Sequence, residues 1–248
     1  MKEENLEQST HRRGFLGMLA SGAAALGLTA LTSPLQVNAQ QGKGNQKPEA
    51  AAMPKSEADV WFDKVKGKHR VVYDSTKTNE VMQFAWPAVF LMTNAATGTP
   101  ASDCGVVVVM RHEGIPYAFQ DLMWQKYNFK DVFKVNDLGP AFAAVDKDTA
   151  TKTRNPFLNT KPGDFKIPGI GAVDIGIKDL MKNGVMFCVC NAAMTVYSAA
   201  VAGQMGMKAE DVYNEWKTNV IPGVQIVPSG VWAVGRAQEH KCAYTFAG

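Results

Sequence analysis

The sequence predicts a three-layer α/β protein: a mainly parallel, five-stranded sheet with helices on both faces and one long, loop-rich insertion. Three observations carry this expectation. Four short runs, 69–75, 104–112, 184–190 and 223–230, are apolar without alternation, and a weaker fifth covers 241–248. Unbroken apolar character marks strands covered on both faces, which is the habit of parallel sheets. Helical periods fill the intervals, and strand alternating with helix is the pattern of crossover connections.

The elements follow in chain order. Arg12 and Arg13 precede a weakly apolar segment over 14–31, and Val37, Asn38 and Ala39 supply the small residues of a cleavage site, so 1–39 is expected to be a secretory signal. Arg12, Arg13, Phe15 and Leu16 resemble the twin-arginine (Tat) consensus, which implies export of a prefolded protein to the periplasm through the Tat translocon. Residues 40–57 are polar and aperiodic and are expected to be a disordered linker, leaving 58–248 as one α/β domain.

After the first strand, 79–98 has an apolar helical pattern that contains Pro87, a residue expected to bend it. The insertion, 113–170, follows the second strand. It opens on a helical pattern over 115–129 and continues through a stretch dense in Pro, Gly and Asn. Loops of that length in compact domains serve a function or lack order. Phe157, Phe165 and Ile167 favour an ordered cover over the carboxyl edge of the sheet, with Tyr117, Trp124 and Phe157 facing inward. Helical patterns over 172–184 and 191–206 each end at a glycine suited to a C-terminal cap, and further ones cover 208–219 and 230–241.

Composition narrows the function. The chain has 248 residues, 46% apolar and 20% charged, with a formal net charge of +3 and no run of five like charges. That is a globular composition with no electrostatic footprint for nucleic acid. There is no glycine-rich phosphate loop and no G-x-S-x-G around a serine nucleophile.

Open parallel sheets place their sites beyond the carboxyl ends of the strands. The second strand delivers Arg111 and His112 there, the third Cys190 and Asn191, and the fourth Ser229 and Gly230. Cys190 falls where the helix beginning near Ala192 presents unsatisfied N–H groups and its positive end, a setting that favours thiolate. Cys188, inside the apolar run, is expected to be core, its ionisation opposed by burial. Packing alone is an alternative for Cys190 as well. Four cysteines in an exported chain also permit disulfides, and the pairing of Cys104 and Cys242 is not deducible. A soft copper-type site of Cys190, His112 and a methionine has no supporting ligand spacing, so no metal and no cofactor are expected.

The stretches GVMFCVCNAAM (184–194) and IPGVQIVPSGVWAVGRAQEHKCAYTFAG (221–248), with VVVVMRH (106–112), resemble the DsrE-like family of sulfur-relay proteins. The resemblance covers 69–112 and 171–248. It implies a flavodoxin-like α/β domain, a ring-like trimer or hexamer, and a cysteine at the end of this strand that carries sulfur as a persulfide. That cysteine maps onto Cys190. The resemblance thus implies a protein that holds or transfers sulfane sulfur, with a small sulfur donor or another sulfur-carrier protein as partner. His112 is expected to supply a positive charge or a proton. Ser229, Gly230 and the backbone N–H groups at Asn191 and Ala192 are expected to stabilise the anion. Large apolar residues on the helix faces around Trp86, Phe90, Tyr197 and Trp232 agree with a closed homo-oligomer. The alternative is a non-catalytic module of the same fold that binds a small ligand beneath the insertion, its cysteines merely packed.

Overall fold

The computed structural model describes residues 55–135, 137–144 and 151–248. The expected signal, 1–39, and all but the last three residues of the expected linker, 40–57, lie outside the described residues. Ser56–Gly248 form one compact unit, which starts two residues before the expected boundary. Its first element is a short helix the apolar pattern did not predict, α1 (Glu57–Phe62). Ser56 caps it: the Ser56 Oγ accepts the Asp59 N–H at 3.1 Å and donates to the Asp59 carboxylate at 2.8 Å. The S-x-x-D pattern is the local signal for that cap. The helix buries Trp61 and Phe62.

Strands β1 (His69–Ser75) and β2 (Cys104–Met110) come first. A small antiparallel hairpin, β3 (Lys166–Ile167) and β4 (Gly171–Ala172), closes the insertion. Strands β5 (Val185–Cys190), β6 (Gln225–Val227) and β7 (Ala243–Phe246) complete the set. The main sheet is parallel throughout, in the order β6-β5-β2-β1-β7. The helices between are α2 (Met82–Ala96), α3 (Asp121–Tyr127), α4 (Phe129–Val132), α5 (Ile177–Lys182), α6 (Asn191–Met205), α7 (Ala209–Thr218) and α8 (Gly230–Glu239).

The handedness of crossovers explains the layers. Steps from β1 through β2 and β5 to β6 all run one way, so right-handed connections place their helices on one face. The last step returns past β1, which puts α8 on the opposite face, beside α1. Two separate cores result. Val106, Val108 and Met110 of β2 join the larger one with Phe84, Phe187 and Trp216. Val107 and Val109 join the smaller one with Trp61, Phe62, Cys188 and Ala233. The period-two alternation of a strand is legible in this split, even though both faces are apolar.

Some elements are shorter than the sequence pattern suggests, each for a local reason. β2 stops at Met110 because His112 adopts a left-handed backbone (φ +52°) that turns the chain into a 3-10 segment, His112–Ala118. β6 stops at Val227 because Ser229 becomes the N-cap of α8. The helix expected over 115–129 is broken at Phe119 and Gln120. There the chain pairs with the end of α7: the Gln120 N–H donates to the Asn219 carbonyl at 3.0 Å and the Ile221 N–H to the Ala118 carbonyl at 2.9 Å.

The insertion is core as much as cover. Tyr117, Trp124 and Phe157 are fully buried. Phe157 stacks on Phe84 of α2 at 4.0 Å between centroids and on Phe165 at 5.1 Å. Glu113, Phe133 and Lys134 reach the carboxyl edge, where the Phe133 carbonyl accepts the Thr78 hydroxyl at 3.2 Å and its ring lies 5.1 Å from Tyr197. Removing an aromatic side chain from such a stack leaves a cavity. Phe157→Ala is therefore expected to lower unfolding free energy by about 3–5 kcal/mol, read from the urea midpoint. A loss below about 1 kcal/mol would mean the insertion is a detachable cover.

Candidate functional site

β5 passes into α6 without a loop. Cys190 is both the last strand residue and the helix N-cap, with φ −72° and ψ 110°. Its Sγ accepts the Ala193 N–H at 3.3 Å, so the thiol satisfies one of the helix's orphan donors. The side chain is nearly enclosed, with 6% of the residue exposed. The next strand, β6, is followed two residues past its end by a similar cap: Ser229 caps α8, its Oγ accepting the Trp232 N–H at 3.2 Å. The Pro228 carbonyl accepts the Ala192 N–H at 3.2 Å and ties the two junctions together. Neither α6 nor α8 has an acidic residue in its own first turn to offset its positive end.

The backbone assignment changes in one respect. The Ala192 N–H, expected to serve an anion, is committed to Pro228, and Ala193 supplies the donor to the sulfur. The side chain of Asn191 is also engaged, its Oδ1 accepting the Tyr213 hydroxyl at 2.6 Å.

The charged neighbour of Cys190 is Arg111. Register pairs Met110 with Val189, so Arg111 follows on the strand beside Cys190. Its hydrogen bonds to Asp74 raise the guanidinium above its ordinary value, against an opposing effect of burial. Arg111 Nε and Nη2 donate to the two Asp74 carboxylate oxygens at 2.6 and 2.8 Å. The Asp74 side chain is 3% exposed and that of Arg111 27%. Tyr244 of β7 donates its hydroxyl to Asp74 Oδ2 at 3.0 Å. Four neighbouring strands thus contribute a row: Tyr244 from β7, Asp74 from β1, Arg111 just past β2, and Cys190 from β5.

Gly230 braces this row. A Cβ there would overlap Cβ and Cδ of Arg111, so the residue must be glycine for α8 to start against the arginine stem. His112 reaches α6. Its left-handed backbone brings the ring against Tyr197 of α6, with Nδ1 3.3 Å from the hydroxyl and the rings edge to face at 5.9 Å. Burial, and next the charge of Glu113, push the Tyr197 hydroxyl above its ordinary value. Arg111, one residue earlier in the chain, places a guanidinium beside Cys190.

Cys188 lies in the smaller core and is fully buried. Burial, then the charge of Cys190, push its thiol far up. Burial also raises Cys242, to about 11, against a partial opposing effect of Arg70. All four cysteines are buried free thiols. Among the described residues, no three His, Cys, Asp or Glu side chains are grouped to hold a metal ion, and no helix is long and apolar enough to cross a membrane.

Fold and edge together define a three-layer α/β protein with one nearly enclosed thiol at a helix start, flanked by a braced arginine. No family model matches the chain, and no curated protein matches it. Among solved structures, it is similar to a protein of unknown function from Methanobacterium thermoautotrophicum at 15% identity and a TM-score of 0.35, over 72% of this chain and 99% of that one.

The raised thiols have a consequence at alkaline pH. A thiol whose folded value lies above its unfolded value, near pH ~8.5, keeps a proton that the unfolded chain releases. Stability is therefore whole below about pH 8.5 and declines as pH rises beyond it, by up to about 1.4 kcal/mol per pH unit for each such group. Cys188→Ala is expected to cost about 1 kcal/mol at pH 7 and to flatten this decline between about pH 8.5 and 10.5. Urea midpoints across that range check it; an unchanged slope would show that Cys188 titrates alike in both states.

Proposed function

We propose that this protein is a DsrE-like sulfur carrier in which Cys190 holds sulfane sulfur as a persulfide. The observation that supports it is the placement of the Cys190 sulfur, accepting the Ala193 N–H at the positive end of α6. Negative charge on sulfur gains a charge-assisted hydrogen bond and a favourable dipole there. The thiolate attacks the outer sulfur of a donor. One S–S bond forms on Cys190, the donor's bond to that sulfur breaks, and the remainder leaves as an anion with the bonding pair. Electrons balance without an added oxidant. Transfer onward is the same step with an acceptor thiolate. The near-complete enclosure of Cys190 limits water at the product, and Ser229 and Gly230 open α8 beside it.

Cys190→Ser is expected to abolish persulfide formation after exposure to inorganic polysulfide, read by intact mass, while shifting stability by less than about 1 kcal/mol. Cys188→Ala is expected to load normally. Loading that survives Cys190→Ser would end this reading.

A second reading has one observation in its favour. The order of the sheet reverses between β1 and β7, and ligands of open α/β sheets bind at such points. A cleft of about 460 Å³ lies there, lined by Lys77, Thr78, Glu113, Phe133, Lys134 and Phe246 among others. A small-ligand module would use that cleft and be indifferent to Cys190→Ser.

The sequence before the folded unit supports export as part of the same proposal. Arg12→Lys with Arg13→Lys is expected to leave the protein in the cytoplasmic fraction. Undiminished periplasmic abundance would exclude the twin-arginine route.

A further inference from the structure

The pairing of Arg111 with Asp74 is side-on. It uses Nε and one N–H of Nη2. A guanidinium has five N–H groups in a planar fork. Among the described residues, none accepts a hydrogen bond from Nη1 of Arg111. The outer edge of the guanidinium, Nη1 together with the second N–H of Nη2, is therefore open, and the side chain is 27% exposed. An outer edge of that kind matches two acceptor atoms of one anion.

The inner edge and stem of the arginine are held by neighbours. Asp74 is almost wholly buried and grips the inner edge of the guanidinium, Tyr244 holds Asp74, and Gly230 closes on the arginine stem. The starts of α6 and α8, both without an acidic residue, face the same end of the sheet. Asp74 offsets much of the net charge of Arg111, so the site offers directed donors more than a long-range field.

We propose that Arg111 selects the sulfur donor, and that the donor is a small sulfur anion rather than a neutral polysulfane. This rests on the reading of Cys190 as the sulfur acceptor. Thiosulfate illustrates the fit. The guanidinium fork holds two sulfonate oxygens, and the Cys190 thiolate attacks the outer sulfur. The S–S bond to Cys190 forms as the one within thiosulfate breaks. Sulfite leaves with the bonding pair, still on the fork, and charge is conserved. Arg111 is a specificity residue for this step and does not exchange a proton.

The test separates anion selection from sulfur chemistry by measuring alkylation of Cys190 with two reagents alike in size, anionic iodoacetate and neutral iodoacetamide. Arg111→Lys keeps a cation for Asp74 but removes the fork. Gly230→Ala keeps the arginine and displaces it. In both variants the iodoacetate-to-iodoacetamide rate ratio is expected to fall by about tenfold, the scale of one charge-assisted hydrogen bond, while the iodoacetamide rate stays within about threefold. A ratio unchanged in both variants overturns the proposal. Sulfur uptake is then followed by mass with thiosulfate and with inorganic tetrasulfide as separate donors. Loss in Arg111→Lys with thiosulfate alone supports an oxyanion donor, and loss with both supports sulfur anions generally. Equal uptake by wild type and Arg111→Lys overturns anion selection and leaves the carrier reading standing. An Arg111-dependent ratio without any uptake by wild type does the reverse.

Discussion

β2 runs through the centre of the sheet with all seven residues buried, so neither of its faces accepts a polar side chain until the strand ends. Burying an unpaired charge costs several kcal/mol, roughly, even after relaxation. The first polar residue past the strand is therefore forced into a partnership, and Arg111 finds it in the carboxylate of Asp74 on the neighbouring strand. Asp74 is under the same constraint, being inside a strand whose other neighbour is β7. It accepts from Arg111 on one side and from Tyr244 on the other. The polar row at the sheet edge is what a doubly covered parallel sheet requires wherever charge meets its core.

β5 passes directly into its helix and β6 reaches its helix through Pro228 and Ser229 alone, and this sets the rest of the site. In each, the residue before the helix caps it: a thiol at Cys190 and a hydroxyl at Ser229. The strands are neighbours in the sheet, so the two helix starts are neighbours in space, although α6 and α8 lie on opposite faces. The Ala192 N–H bond to the Pro228 carbonyl closes the gap between them. A thiol in the capping position replaces the usual hydroxyl or carboxylate with an acceptor that is weak when protonated and much stronger when ionised.

The strands were legible from their unbroken apolar runs, and so was the cover on both faces of the sheet, because both signals come from burial. Cys190 and Ser229 were visible as residues at helix starts for the same reason. What the sequence concealed is what pairing decides. Asp74 sits inside an apolar run, and a lone carboxylate there announces a buried partner, but only the strand order names Arg111. Gly230 stands in the sequence as an anion-binding candidate; what it touches depends on a side chain 119 positions away in the chain, the difference between 230 and 111. His112 looked like the more reactive end of β2, and its left-handed backbone, which no local pattern reports, turned it to Tyr197. The insertion reads in the sequence as an ordered cover with Tyr117, Trp124 and Phe157 facing inward, and those aromatic residues belong to the main core.

The contact between Tyr244 and Asp74 spans 170 positions of sequence. Closing a loop of that size carries its entropic cost before any pairing compensates it, and parallel pairings over long separations form slowly. Until β7 docks, the carboxylate beneath Arg111 lacks one of its donors and the edge of β1 is open. The arginine that flanks the thiol thus becomes fully held only when the two most distant strands meet. In a folding chain, Asp74 therefore gains its second donor only when the first and last strands of the sheet meet.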